Sequence, residues 1–121
     1  ILEKVKTHAG DVDFEVQPEL LSLFSNRDFG RYAGEKGEMN VCFISNNDIT
    51  GGNSGSAMFN ARGELLGLAF DGNWEAMSSD ILYEPKMQRC IGVDVRYILF
   101  MIEKYGKAGD LIRELKIVSG K

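Results

Sequence analysis

A glycine-rich loop around Ser54 is the segment of the sequence best suited to chemistry. It reads TGGNSGS over residues 50–56 and lies between two hydrophobic segments. A serine nucleophile needs an exposed hydroxyl group and backbone N–H groups that face a developing oxyanion. Glycines before the serine permit a tight turn, and a glycine after it leaves room for substrate. The pattern predicts a nucleophile loop, although one serine among glycines is also typical of an ordinary turn.

Two other glycine-dependent motifs are absent around this loop. The Gly-x-Ser-x-Gly elbow of α/β-hydrolases fails because Ser56 stands where the last glycine belongs. A phosphate-binding loop fails because no Gly-Lys-Ser/Thr sequence is present. Trypsin-like peptidases place their nucleophile in a Gly-x-Ser-Gly loop that precedes a β-hairpin, and residues 52–55 followed by residues 57–70 fit that order.

The elements that must position the loop are mostly strands. The hydrophobic pattern predicts a hairpin over residues 57–70, with Gly63 in its turn. Pro18 suits the first position of a short helix that ends near Ser25-Asn26. The resulting fold class is mainly β, a small barrel or sandwich with a short helix near the start and helices at the C-terminus. The other predicted elements are a strand from Ile1 to Val5, a buried strand from Met39 to Ser45, a strand from Arg89 to Val95, a helix from Arg96 to Tyr105, and a helix from Asp110, as N-cap, to Leu115.

Composition sets limits on the function. The 121 residues suit a single domain, 1–121, and the net charge of -4 with no basic stripe argues against nucleic-acid binding. No apolar run is long enough to span a membrane. No motif for a metal or cofactor is present, so we expect neither. The single histidine, His8, means that a His-assisted serine must use that residue or one from outside this sequence.

Longer segments resemble a known family. The sequences NDITGGNSGS (residues 47–56), GELLGLAFDGNWE (residues 63–75) and VDVRYILF (residues 93–100) closely resemble the bacterial serine dipeptidyl peptidases 7 and 11, as does DFGRY (residues 28–32). The resemblance covers nearly the whole chain and is nearer the dipeptidyl peptidase 7 type. It implies the C-terminal barrel of a trypsin-like double-barrel peptidase of about 700 residues, which exceeds one ordinary domain.

The resemblance also implies roles for individual residues. Ser54 is the expected nucleophile, and the N–H groups of Gly52 and Ser54 form the expected oxyanion hole. Asp71 is expected to bind the α-amino group of the substrate. Phe70, judged from its residue type alone, is either a packing residue, which is favoured, or a wall of the pocket. Gly72 occupies the specificity position for P1, the residue whose carbonyl group is attacked. An Arg there accompanies acidic P1 side chains, whereas Gly leaves the pocket uncharged and predicts a hydrophobic preference.

Several expectations concern the whole enzyme. Its catalytic His and Asp belong to the N-terminal barrel and so precede residue 1, which leaves the isolated chain inactive. The expected partners are oligopeptides with a free N-terminus, the N-terminal barrel and an inserted helical domain of the same protein, and a second copy in a homodimer. The expected location is periplasmic or at the cell surface. The chain is expected to run to the natural C-terminus.

Other residues have plainer interpretations. We expect His8 to be a solvated surface residue and Asp94 and Arg96 to make structural polar contacts. Cys42 and Cys90 lie on predicted strands, where they are either paired or free thiols, and free thiols are favoured. The competing function is a non-catalytic trypsin-like barrel that serves as an interaction module. The retained glycine-rich loop around Ser54 argues against it, since a barrel without catalysis has no need of that loop.

Overall fold

A four-stranded antiparallel sheet carries the glycine-rich loop. The structure, a computed structural model, describes residues 1–78 and 81–119. Along the sheet the strands follow the order first, fourth, third, second. The glycine-rich loop connects the first two strands, which lie at opposite edges, and the hairpin turn connects the second and third. The strands are β1 (Cys42–Ser45), β2 (Ala57–Phe59), β3 (Leu65–Gly72) and β4 (Cys90–Asp94).

Short helices surround the sheet, and in the part of the chain described here none is long and apolar enough to cross a membrane. Pro18 opens the second helix, as predicted, because its missing N–H costs no hydrogen bond at that position. The helices are α1 (Leu2–Thr7), α2 (Pro18–Ser25), α3 (Val95–Phe100), which continues as a π-helical turn (Met101–Tyr105), and α4 (Gly109–Arg113). Three 3-10 turns comprise Val12–Phe14, Gly30–Tyr32 and Trp74–Ser78.

Gly67 and Gly92 allow the aromatic ring of Phe43 to pack closely against the sheet. Gly92 of β4 pairs with Phe43 of β1, and a Cβ atom at Gly92 would lie 2.7 Å from the Phe43 ring. At Gly67 of β3 a Cβ atom would lie 2.8 Å from the same ring and 2.1 Å from the carbonyl oxygen of Val93. Any larger side chain would overpack this site. The two glycines thus fix the close packing of β1, β3 and β4.

A cluster of aromatic rings ties α2 to α3. The rings of Phe24, Phe29 and Phe100 meet edge to face, with centroids 5.1 to 5.8 Å apart. Tyr32 completes this buried cluster, and its hydroxyl group donates to Glu103 on the π-helical turn. Such edge-to-face contacts add to the energy of apolar burial. The segment 28–32, singled out in the sequence, is therefore part of the core.

Ion pairs on the outside of this cluster hold the π-helical turn in place. Arg31 pairs with Glu103 at 3.1 Å, and Lys104 pairs with Asp28 at 2.8 Å. The hydrogen bond from Tyr32, followed by the charge of Arg31, lowers the pKa of Glu103. Burial, followed by the same hydrogen bond, raises the pKa of Tyr32.

Three predictions about local structure are wrong. Residues Ile1 to Val5 are not a strand: α1 runs from Leu2 to Thr7, and Leu2 packs against the aromatic cluster. The segment Met39 to Ser45 is not uniformly buried, because only Cys42–Ser45 is a strand and its residues alternate in exposure, with Ile44 69% exposed. The helix α4 begins at Gly109, so its N-cap is Ala108 and not Asp110.

The remaining element predictions are confirmed. The hairpin 57–70 corresponds to β2 and β3, and Gly63 in its turn has a φ of +74°, which only glycine adopts freely. The strand predicted over Arg89 to Val95 is β4, and the helix predicted over Arg96 to Tyr105 corresponds to α3 and its π-helical turn. The short helix near the start and those at the C-terminal end are also present.

Candidate active site

The conformation of the glycine-rich loop requires glycine on both sides of the Asn53-Ser54 pair. Gly52 has a φ of +96° and Gly55 a φ of +87°. A residue with a side chain at such a positive φ costs about 1–2 kcal/mol of backbone strain, which is comparable to the loss of one hydrogen bond. The two glycines therefore allow a sharp turn that presents Ser54 at its outer side.

The side chain of Asn53 closes this turn. Its Oδ1 atom accepts a hydrogen bond of 3.0 Å from the backbone N–H of Thr50. In return the N–H of Asn53 donates to the carbonyl oxygen of Thr50 at 3.1 Å. These two hydrogen bonds join Asn53 to Thr50 across the turn. Asn53 thus determines how the neighbouring peptide groups are oriented.

The loop is joined to β3 directly after the serine. The N–H of Gly55 donates to the carbonyl oxygen of Ala69 at 2.7 Å, and the N–H of Ala69 donates to the carbonyl oxygen of Ser56 at 2.8 Å. Ser54 itself is exposed, and its hydroxyl group donates a long 3.4 Å hydrogen bond to the carbonyl oxygen of Phe70. The loop is anchored while the hydroxyl group stays accessible.

Two backbone donors beside the serine are unused. Within the described residues, the N–H groups of Gly52 and Ser54 make no hydrogen bond to the protein. The N–H of Asn53, between them, is already paired with Thr50. Two unpaired N–H donors that are separated by one residue and lie next to an exposed hydroxyl group can bind an oxygen anion. The predicted oxyanion-hole pair is thus available, and its role stays a prediction.

A pocket of about 250 Å³ opens beside Ser54. All of the residues that the sequence singled out as substrate-binding lie on it. Two more come from the 3-10 turn after β3, which lacks any recognisable motif and was missed in the sequence. The lining that matters here comprises Ser54, Phe70, Asp71, Gly72, Ala76 and Met77.

A bulge in β3 directs these residues toward the pocket. Ala69 pairs with Gly92 and Asp71 pairs with Ile91, so Phe70 is the extra residue of β3. Such a bulge bends a strand and re-aims its side chains. Beyond it Asp71 is exposed, and its Oδ1 atom accepts a 2.8 Å hydrogen bond from the N–H of Gly72. A carboxylate placed in this way can bind a cation at the rim of the pocket.

Gly72 supports the pocket in a way that the sequence did not indicate. A Cβ atom at this position would lie 2.8 Å from the Cβ atom of Ala76 and 3.5 Å from the side chain of Ile49. The absence of a side chain at Gly72 therefore lets the 3-10 turn approach β3. Asp71 is the one charged residue among the lining residues named above, and the role of Gly72 in P1 specificity stays a prediction.

The residues with plainer interpretations lie outside this pocket. His8 stacks on Phe14 with ring centroids 4.1 Å apart, and its Nδ1 atom is 2.9 Å from the hydroxyl oxygen of Thr7. It is therefore half-buried in a contact of its own rather than fully solvated. Among the described residues, no group of three or more His, Cys, Asp or Glu side chains is arranged to hold a metal ion.

Asp94 has a structural role. Its Oδ1 atom caps α3 by accepting the N–H of Arg96 at 2.8 Å, and its Oδ2 atom pairs with the Arg96 guanidinium at 2.6 Å. Asp94 is buried, and the hydrogen bond to it raises the pKa of Arg96. The prediction of structural polar contacts for this pair is confirmed.

The two cysteines are free thiols, as expected. Cys42 is exposed on β1, whereas Cys90 is buried at the start of β4. Burial raises the pKa of the Cys90 thiol, which keeps it protonated and unreactive. Neither residue lies among those that line the pocket beside Ser54.

Comparison with known proteins agrees with this geometry. The family model described as Peptidase S46 matches residues 1–117. The chain is 61% identical to dipeptidyl-peptidase 7 of Porphyromonas endodontalis over 108 residues, which cover 89% of the chain and 13% of that protein. It is 50% identical to the Asp/Glu-specific dipeptidyl-peptidase of Capnocytophaga gingivalis over 109 residues, which cover 90% of the chain and 15% of that protein.

A solved structure also superposes well. The crystal structure of Porphyromonas endodontalis DPP11 in complex with the dipeptide Arg-Glu matches with a TM-score of 0.87 and 44% sequence identity, covering 93% of this chain and 16% of that one. This likeness confirms the predicted fold class. The chain spans about one-seventh of the length of the curated relatives above.

Proposed function

The chain belongs to the peptidase S46 family, and on this basis we propose that it is the lobe of a serine-type dipeptidyl peptidase that bears the nucleophile. The observation that carries the proposal is the position of Ser54. Its exposed hydroxyl group lies at a pocket shared with Phe70, Asp71 and Gly72, beside two unused backbone donors. The relatives named dipeptidyl-peptidase support the reaction class.

The reaction proceeds by acyl transfer. The Oγ atom of Ser54 attacks the carbonyl carbon of the P1 residue, and its proton passes to a base supplied by another part of the protein. The N–H groups of Gly52 and Ser54 stabilise the oxyanion that forms. The peptide C–N bond then breaks, and the leaving amine takes up that proton. Water hydrolyses the resulting ester and releases a dipeptide.

Asp71 makes the enzyme an exopeptidase. A free α-amino group is positively charged at neutral pH, and the Asp71 carboxylate offers the opposite charge at the rim of the pocket. Blocking the amino group removes this attraction, so an acetylated substrate should bind poorly.

The P1 residue is hydrophobic in this proposal. Gly72 contributes no charge to the pocket, and Phe70, Ala76 and Met77 are apolar residues of its lining, beside the polar groups of Ser54 and Asp71. Sequence identity is not the basis of this preference: relatives named dipeptidyl-peptidase 7 are 61%, 58% and 48% identical, and the Asp/Glu-specific relative above is 50% identical. An acidic P1 side chain would find no cation among these lining residues.

The catalytic base must come from outside this chain. The single histidine, His8, contacts Phe14 and Thr7 and is not among the residues that line the pocket beside Ser54. A lobe without its base retains only the contribution of the oxyanion hole and of binding, so we expect the isolated chain to be inactive.

The test uses the full-length protein and a chromogenic dipeptide substrate with a free amino group and leucine at P1. Ser54→Ala should lower kcat by about 10⁶-fold, as loss of a serine nucleophile does elsewhere. Ser56→Ala is the matched control, because that side chain lies outside the pocket and should leave kcat unchanged. Unchanged turnover in Ser54→Ala would exclude Ser54 as the nucleophile.

A further inference from the structure

The 3-10 turn Trp74–Ser78 forms one wall of the pocket that the glycine-rich loop also lines. Its Ala76 and Met77 line the same pocket as Ser54. The missing Cβ atom at Gly72 lets this wall pack directly on β3, since that atom would lie 2.8 Å from the Cβ atom of Ala76. The distance between wall and strand therefore sets the width available to a P1 side chain.

A buried amide holds this wall in place. Gln88 is only 3% exposed. Its Nε2 atom is within hydrogen-bonding distance of the carbonyl oxygens of Glu75 at 3.1 Å and Leu82 at 3.0 Å, and of the hydroxyl oxygen of Ser78 at 3.3 Å. Its Oε1 atom accepts the N–H of Glu84 at 2.8 Å. Burying an amide is costly unless its groups are paired, and here they are.

Asn73 fixes the beginning of the wall. Its Oδ1 atom accepts the N–H of Arg89 at 2.8 Å, and its own N–H donates to the carbonyl oxygen of Arg89 at 3.0 Å. The carbonyl oxygen of Asn73 then accepts the N–H of Ala76 at 2.9 Å. Asn73 thus attaches the beginning of the wall to Arg89, and Gln88 binds the wall itself. Gln88 and Arg89 directly precede β4.

We propose that the turn Trp74–Ser78 determines the size selectivity for P1, with Met77 and Ala76 as the specificity-determining side chains and Gln88 as the positioning residue that holds them. This inference rests on the proposed function. Selectivity by size requires a wall that does not yield when a larger side chain enters. The hydrogen bonds of Gln88 supply that rigidity, because any outward movement would leave buried polar groups unpaired.

The first test compares two methionines in the full-length protein. Met77→Ala widens the pocket at an exposed position, so the fold is retained. We expect kcat/KM for a P1 phenylalanine substrate, relative to P1 leucine, to rise about tenfold, the size of effect that a methylene or two produces in such pockets. Met87→Ala is the matched control, since Met87 lies outside the pocket, and it should leave the ratio unchanged. An unchanged ratio in Met77→Ala would refute the proposal.

The second test removes the support but keeps its volume. Gln88→Met should loosen the wall and bring the kcat/KM values for P1 alanine, leucine and phenylalanine closer together, mainly through KM. If Gln88 only stabilised the fold, its replacement would lower the three kcat/KM values equally. That result would contradict the positioning role. If Gln88→Met does not fold, the comparison of Met77→Ala with Met87→Ala decides whether the proposal stands. Turnover that persists in Ser54→Ala would instead refute the proposed function itself.

Discussion

The hydroxyl oxygen of Ser54 lies 3.4 Å from the carbonyl oxygen of Phe70, and Phe70 is the one residue by which β3 exceeds its partner β4 between Ala69 and Asp71. A bulged residue leaves the regular ladder of strand hydrogen bonds. Its carbonyl group is therefore positioned to accept the serine. One irregularity in the sheet thus orients the proposed nucleophile and directs the residues that follow toward the pocket.

Gly52→Ala tests the oxyanion hole. Alanine at a φ of +96° is strained, so the peptide should rotate and carry the N–H groups out of position. We expect kcat in the full-length protein to fall about 100-fold, as for loss of one oxyanion donor, with little change in KM. Gly63→Ala is the control, because its φ of +74° imposes similar strain in the hairpin turn without affecting the site. Equal loss of activity in both variants would attribute the effect to folding.

Asn53→Ala tests the role of the reciprocal hydrogen bonds with Thr50. Loss of the Oδ1 acceptor should loosen the turn and lower kcat by roughly three- to tenfold, the worth of one ordinary hydrogen bond. Asn53→Ser should recover part of the rate, because a serine hydroxyl stabilises such turns more weakly. Steady-state kinetics of the three proteins should give the order Asn, Ser, Ala. Identical rates for Ser and Ala would show that the side-chain acceptor is irrelevant.

Gly72→Arg should change the P1 preference only when a second substitution makes space for the arginine side chain. The new Cβ atom would collide with that of Ala76, so the single variant should lose activity on every substrate. The double variant Gly72→Arg with Ala76→Gly relieves the contact. Its guanidinium should then pair with an acidic P1 side chain. We expect the ratio of kcat/KM for P1 glutamate over P1 leucine to rise in the double variant. A ratio that stays unchanged would remove Gly72 from the specificity site.

Glu103 should make the aromatic cluster sensitive to acid. Its pKa is lowered in the folded protein, first by the hydrogen bond from Tyr32 and then by the charge of Arg31. The stabilisation is therefore complete above the ordinary carboxyl pKa of about 4.3 and is lost as the pH falls through the lower folded value. Hydrogen exchange of peptides from residues 97–105 should rise at acid pH relative to peptides from β3.

The control for this pH effect is Glu103→Gln, which should be less protected than the parent protein near neutral pH. The difference between the two should vanish at low pH, where Glu103 is also uncharged. A difference that persists unchanged across the range would assign the protection to packing alone.

Local patterns predicted the hairpin and the turn around Ser54 because both depend on glycine at particular positions. Gly52 and Gly55 have positive φ values that other residues adopt at a cost, and Gly63 occupies the hairpin turn. These constraints are written in a few adjacent residues. They were therefore accessible without knowledge of the tertiary structure.

Tertiary contacts determine what the sequence did not reveal. The segment Ile1 to Val5 has β-branched residues at both ends, which suggested a strand. Leu2 packs against the aromatic cluster, and that packing favours a helix. The pocket wall was missed because Ala76 and Met77 have no periodic pattern and are held by Gln88, ten or more residues away along the chain. The exposure of Ile44 likewise depends on which faces of the sheet are covered.

The bulge at Phe70 also divides β3 into two independently variable parts. Before it, positions such as Gly67 are dictated by the ring of Phe43 and by the neighbouring strand. After it, the alternation of faces starts afresh, so an exchange at Asp71, or at Gly72 together with Ala76, does not change which side chains the preceding part of the strand directs to each face. A recombinant strand joined at this point would combine one framework with a different pocket lining.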